Sequence, residues 1–244
     1  MRQIKSPAEI ELMQQAVDLT GNGITAAMQL AEGGLYEYQL QATVEAAFTE
    51  GGSPRRGFQS IIASGPNTLT PHYMSNRRQS KPGELLLMDV GAEVGMYSAD
   101  ITRTFPLDGK FTDAQTKVYN VVLGAQAAAI MAIRPGITIK ELNTIAKDYA
   151  IKAGYEQYIL HGISHFLGLD VHDVGIYKEP LKVGSVITVE PSLYIPVDDM
   201  EIDAAYRGMG IRIEDDVLVT ETGFRVLSQD IPKTIAAIEE LMTE

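Results

Sequence analysis

LLLMDVGAEVGMYSADITRTF, residues 85–105, reads as two apolar β-strands that each carry an acid, Asp89 and Asp100. A carboxylate in a buried strand is costly unless something offsets its charge. The pattern recurs downstream, where VITVEPSLY (186–194) carries Glu190 and GIRIEDDVLV (210–219) carries Glu214. His165 joins them from a further apolar run that also reads as strand-like, HGISHFLGLDVHD (161–173). Taken singly, each acid has a plain structural account: Asp89 precedes a glycine turn, and Asp215 and Asp216 read as a solvated strand edge. Five metal-seeking side chains arriving this way, Asp89, Asp100, His165, Glu190 and Glu214, point instead to one shared cation site.

The two halves of the chain echo each other. Ser6-Pro7-Ala8-Glu9 is a capping box with Pro at the first helical position, predicting a helix to about Leu30. Thr112-Asp113-Ala114-Gln115 predicts an equivalent helix to about Ile133. MQLAEGG (28–34) is answered by MAIRPGI (131–137), and a second amphipathic helix follows each, ending near Gly51 and Gly154. The pairs Met28/Met131, Gly33/Gly136 and Gly51/Gly154 share an offset of 103 residues. KPGELLLMD (81–89) is answered by KVGSVITVE (182–190), which sets Asp89 opposite Glu190, with Asp100 and Glu214 on the next strand of each half. Gly-stopped helix pairs also arise by chance, but here the order helix, helix, strand, acid-bearing strand recurs in full. A duplicated α+β unit places matching acids on either side of a pseudo-twofold axis. No linker or low-complexity run separates the halves, so a single domain spanning residues 1–244 is expected.

Composition narrows the function classes. The 244 residues are 45% hydrophobic, with no Cys and no Trp. No window approaches the roughly 18 apolar residues of a membrane span, and no leader opens the chain, which predicts a cytoplasmic protein with no membrane partner. The net charge of −12 argues against a nucleic-acid partner. Without Cys there are no disulfides and no thiolate ligands. Hard oxygen donors with one imidazole suit divalent Mn, Co, Zn or Fe. Four carboxylates and one His can neutralise two such ions, which together can polarise a carbonyl or phosphoryl oxygen.

Three of the four histidines, His161, His165 and His172, lie within residues 161–173. In an extended strand a spacing of four puts two rings on one face and a spacing of seven does not. Gly162 and Gly168 bend the backbone, so spacing alone leaves the orientations open. His72, in NTLTPHY (67–73), stands alone and is open to a structural or a functional reading.

At this point MDVGAE, SADITRTF, HGISHFLGLDVHDVG, VEPSLY and GIRIEDD together resemble the catalytic domain of the pita-bread metallopeptidases, the superfamily of aminopeptidase P, prolidase and methionine aminopeptidase. The resemblance runs from about Ile4 to about Val226. It implies two pseudo-symmetric halves with a central antiparallel sheet flanked by helices. It also implies two divalent ions, manganese first with cobalt, zinc or iron as alternatives, held by Asp89, Asp100, His165, Glu190 and Glu214, with Asp100 and Glu214 bridging. Glu190 matches the carboxylate that shuttles the proton of the attacking water. His72 and His172 match histidines that contact substrate, which resolves His72 toward function, and His161 matches a third found in the Xaa-Pro branch.

Within that superfamily His161, Arg212 two residues before Glu214, and Tyr194 closing VEPSLY resemble the Xaa-Pro branch. The expected reaction is metal-assisted hydrolysis of the bond after an N-terminal residue, with a hydroxide between the ions attacking the carbonyl. Glu190, His72, His161 and His172 are the catalytic candidates, and the three histidines with Tyr194 and Arg212 are expected at the substrate, Arg212 directly or by orienting Glu214. The start of the resemblance almost at Met1 leads to the expectation that no separate N-terminal domain precedes it, and in length the chain is nearer a methionine aminopeptidase. Methionine or broad-specificity aminopeptidase activity is one alternative, a hydrolase or lyase acting on small molecules a second, and a silent binding module a third. The partner expected is a peptide, and a homodimer is one option for assembly.

Overall fold

Residues 2–243 are described in the computed structural model. Both capping boxes start helices. Ser6 Oγ accepts from Glu9 N and Glu9 Oε2 accepts from Ser6 N, opening α1 (Pro7–Leu30). α1 packs against α2 (Glu37–Glu50). The Thr112/Gln115 pair opens α3 (Asp113–Ala132), which packs in the same way against α4 (Ile139–Lys152).

The repeat is present, but its register is one residue from the expected offset. The left-handed turn residues are Gly34 (φ +105°) and Gly136 (φ +95°), then Gly52 (φ +88°) and Gly154 (φ +87°). Both pairs are 102 residues apart (34 to 136, 52 to 154), not 103. Met28 is fully buried and corresponds to buried Ile130, whereas Met131 is 73% exposed. Matching letters misled because Gly33 is small for another reason. A Cβ there would press on the backbone of Pro82, whereas Pro135 fills the equivalent place.

Among the described residues there are ten strands. They are β1 (Ile61–Ser64), β2 (Leu85–Val90), β3 (Glu93–Val94), β4 (Tyr97–Ser98), β5 (Ile101–Pro106), β6 (Val186–Val189), β7 (Ser192–Ile195), β8 (Met209–Arg212), β9 (Asp215–Thr220) and β10 (Gly223–Val226). The duplication pairs β2 with β6, β3-β4 with β7-β8, and β5 with β9. A short helix, α5 (Ile235–Leu241), follows. Every pairing is antiparallel: β1-β2-β5 form one three-stranded sheet and β10-β9-β6 the other, with β3-β4 and β7-β8 as ribbons. The halves are stitched where β5 meets the β8–β9 junction. There Glu214 N donates to Thr102 O at 3.0 Å, and Thr104 Oγ1 donates to Arg212 O at 2.9 Å.

β2 and β5 are buried at all six positions, which is why LLLMDV shows no alternation of apolar and polar residues. Met13, Val17, Phe48, Leu86 and Phe105 anchor the core of the first half. Ala129, Leu142, Ile187 and Val219 do so beneath α3 and α4. Asp215 and Asp216, expected at a solvated strand edge, are both 0% exposed. Asp215 accepts from fully buried Arg103 at 2.9 Å and from Ser228 Oγ at 2.7 Å, and it also pairs with Lys233. Arg103 comes from the other half, so no local pattern announces the pair.

Candidate metal centre

Strand ends deliver the acids. Asp89 lies in β2 opposite Thr102 of β5, and Asp100 immediately precedes β5. Glu190 follows β6 by one residue, and Glu214 precedes β9 by one. His165 is not in a strand, contrary to the expectation from its apolar run. Its segment follows β6 through a single bridge, Phe166 to Ile187, with Thr188 N donating to His165 O at 3.0 Å. His165 Nε2 lies 3.3 Å from Asp100 Oδ2, 3.6 Å from Glu190 Oε1 and 4.0 Å from Glu214 Oε1. All five groups line one cavity of about 320 Å³, together with His72, His161, His172 and Arg212.

The donor set fits a divalent cation. His165 Nδ1 is 3.1 Å from Phe166 O, a carbonyl that can only accept, so Nδ1 donates there and Nε2 is the ring nitrogen turned toward the acids. Asp100, His165 and Glu214 each offer a ligand atom within 4.8 Å of the others. Burial, then Asp89 and Asp216, push Asp100 well above the ordinary carboxylate range. Burial, then Asp100 and Glu190, do the same to Glu214. Burial raises Glu190 to about 7 against the pull of His165 and Arg212. Such acids repel one another unless a cation sits among them, and Asp89 Oδ1 is buried without a hydrogen-bond partner.

Arg212 is 2% exposed and spends its donors on the protein. Nη2 lies 2.5 Å from Asp89 Oδ2, Nη1 donates to Tyr194 OH at 2.7 Å, and Nε donates to Thr102 Oγ1 at 3.1 Å. Burial works against its charge, yet Asp89, Tyr194 and Glu214 raise its pKa. It therefore touches Asp89 directly and reaches Glu214 only through Thr102, whose hydroxyl donates to Glu214 Oε2 at 2.7 Å. Sequence reasoning overlooked Thr102, although it lies two residues beyond Asp100. It also misplaced Asp216, whose Oδ2 accepts from Asp100 N at 3.1 Å.

The histidines divide into two kinds. His161 Nδ1 is 2.7 Å from Gly162 O, and Nε2 is 2.9 Å from Ser192 Oγ and 3.1 Å from Tyr194 OH. Both nitrogens are engaged, and burial lowers its pKa, so the ring is neutral with no donor left over. His72 and His172 make no side-chain hydrogen bond to any described residue and stand 6.5 Å apart, ring to ring. Burial, then His165 and His72, lower the pKa of His172.

Loop closure explains how a spacing of seven brings His172 beside His165, with ring centroids 4.2 Å apart. Asp173 N donates to Phe166 O at 2.8 Å. The Asp173 carboxylate is buried against Lys5 Nζ at 3.3 Å and against Arg2. Gly168 is required under this latch, because a Cβ there would strike Asp173 and Lys5.

Comparison with known proteins agrees with this architecture. The Xaa-Pro aminopeptidase of Haemophilus influenzae is 42% identical over 99% of this chain and 61% of its own length. That of Escherichia coli is 39% identical over 99% of this chain and 60% of its own. The structure of zinc-substituted E. coli aminopeptidase P in complex with product superposes with a TM-score of 0.97 at 37% identity, covering all of this chain and 60% of that one. The chain thus spans about three-fifths of the length of these relatives and shares the pita-bread fold. Residues 11–221 match the model of metallopeptidase family M24, and the chain belongs to that family.

Proposed function

We propose that this chain is an aminopeptidase that hydrolyses the bond between an N-terminal residue and a following proline. Asp89, Asp100, His165, Glu190 and Glu214 would hold two divalent ions, manganese first given hard oxygen donors around one imidazole. When bound, the ions supply Lewis-acid activation of water and of the scissile carbonyl. The observation that carries the reading is the shared cavity. It combines five ligand-type groups with two imidazoles, His72 and His172, that make no side-chain hydrogen bond among the described residues.

Glu190 lines the cavity 3.6 Å from His165 Nε2, where its carboxylate can take a proton from water and return it to the leaving nitrogen. A neutral His172 offers one N–H to the substrate carbonyl as charge develops on its oxygen. Proline's tertiary amide carries no N–H, so the site needs no acceptor there. Thr102 orients Glu214, and Arg212 orients Asp89 and Tyr194. His161, engaged at both nitrogens, shapes the cavity wall. The cytoplasmic setting expected from the sequence belongs to this proposal.

Comparing kcat/KM for Ala-Pro-Ala, Ala-Ala-Ala and Met-Ala-Ser with manganese-, cobalt- or zinc-loaded protein tests it. Preference for Ala-Pro-Ala is expected. Preference for the Met peptide would place the chain among methionine aminopeptidases, and cleavage of none would reject a peptidase.

A further inference from the structure

Glu37, at the start of α2, is 1% exposed and lies outside the cavity of the candidate metal centre. Its carboxylate accepts five hydrogen bonds. Oε1 receives Ser64 N and Ser64 Oγ at 2.8 Å each and Asn67 Nδ2 at 2.9 Å, and Oε2 receives Tyr73 OH at 2.8 Å and Arg78 N at 2.9 Å. Such a set of donors compensates the burial of a charged carboxylate.

These donors share one property: they bracket His72, with Ser64 and Asn67 before it and Tyr73 and Arg78 after it. Asn76, at φ +49°, pins the returning strand of the same loop by accepting from Ile62 N and donating to Ser60 O. His72 has no side-chain hydrogen bond of its own among the described residues, so its place in the cavity is inherited from the 64–78 backbone.

We propose that Glu37 is a positioning residue for His72, holding the 64–78 loop so that the imidazole faces the substrate cavity. The kinetic consequence rests on the aminopeptidase reading, whereas the geometric one does not. Glu37→Gln keeps the volume but turns an amide N–H₂ toward either Ser64 N and Asn67 Nδ2 or Arg78 N, donors that cannot accept, so at least one is left unpaired.

The test uses the full chain loaded with zinc. Each of its four histidines is labelled with ¹⁵N, and the His72 resonance is assigned from His72→Ala. Glu37→Gln is expected to shift or broaden the His72 ring signals and to speed amide exchange across residues 64–78. With Ala-Pro-Ala it should lower kcat/KM by roughly tenfold to a hundredfold, as expected when a catalytic group is displaced by about an ångström. In a His72→Ala background the same change should cost less than about twofold, because the residue it acts through is gone.

Equal losses in both backgrounds, or an unmoved His72 signal in folded Glu37→Gln, would overturn the proposal. If Glu37→Gln does not fold, Tyr73→Phe removes a single donor and is read by the same signal, with the same two outcomes. If the wild-type chain cleaves no Xaa-Pro peptide, the aminopeptidase reading fails while the His72 signal still decides the role of Glu37.

Discussion

Arg212 Nη2 and Asp89 Oδ2 lie 2.5 Å apart, joining β8 of the second half to β2 of the first across 123 residues of sequence. Their side chains are 3% and 10% exposed. The guanidinium holds Asp89, Tyr194 and Thr102 at once, a three-way reach that an ammonium lacks. Arg212→Lys should therefore lower the unfolding free energy by about 3 kcal/mol, as expected when a buried pair is broken. Metal affinity should fall with it, because Asp89 and Glu214 lose their orientation. Chemical denaturation and titration calorimetry with manganese measure both, and a variant unchanged in either would show that the guanidinium contacts are dispensable.

Metal removal should make stability depend on pH. In the metal-free protein, Asp100 and Glu214 sit well above the ordinary carboxylate range and Glu190 at about 7. The folded state then binds more protons than the unfolded chain at intermediate pH. Stability consequently falls as pH rises from the ordinary carboxylate range through about 7. The Tm of chelator-treated protein should be higher at about pH 6 than at about pH 8, with that gap closing once manganese is added. A metal-free Tm that rises over this interval would contradict the charge repulsion inferred among these acids.

Glu214→Ala and His172→Ala should separate holding a cation from helping the reaction. Glu214 lies among the acids at 4.0 Å from His165 Nε2 and receives Thr102, so its loss should cut metal occupancy and turnover together. The His172 side chain makes no hydrogen bond among the described residues, and its loss should leave metal content intact while lowering kcat by roughly 100-fold, the scale of a lost oxyanion donor. Elemental analysis beside steady-state kinetics distinguishes the two. Metal loss in His172→Ala as severe as in Glu214→Ala would reassign His172 to cation binding.

Asp215→Ala tests the buried pair that the sequence concealed. It would strand Arg103, which is fully buried and donates to Glu214 O and Ile231 O, and leave Lys233 without its carboxylate. A loss of about 3–5 kcal/mol in unfolding free energy is expected. Equilibrium urea denaturation measures it, and a change below about 1 kcal/mol would mean that the arginine finds other partners.

Where a feature depends on neighbours in the chain, the sequence alone determined it. The capping boxes at Ser6 and Thr112 set the helix starts because their side chains bond backbone groups three residues away. The apolar runs around Asp89, Asp100, Glu190 and Glu214 set strands whose ends had to meet, since isolated acids are not buried without compensation. Where a feature depends on contacts between distant segments, only the tertiary structure decided it. The 102-residue register followed from which glycine adopts a left-handed turn, and repeated letters could not show that. Asp215 and Asp216 lie in the core because Arg103, Lys233 and the backbone of Asp100 reach them from far along the chain. His161 Nδ1 meets the neighbouring Gly162 carbonyl, but Nε2 is occupied only because Ser192 and Tyr194 arrive 31 and 33 residues later. Local patterning encodes which groups must be buried and roughly where, but the partner that makes burial tolerable is chosen only when the two halves close on each other.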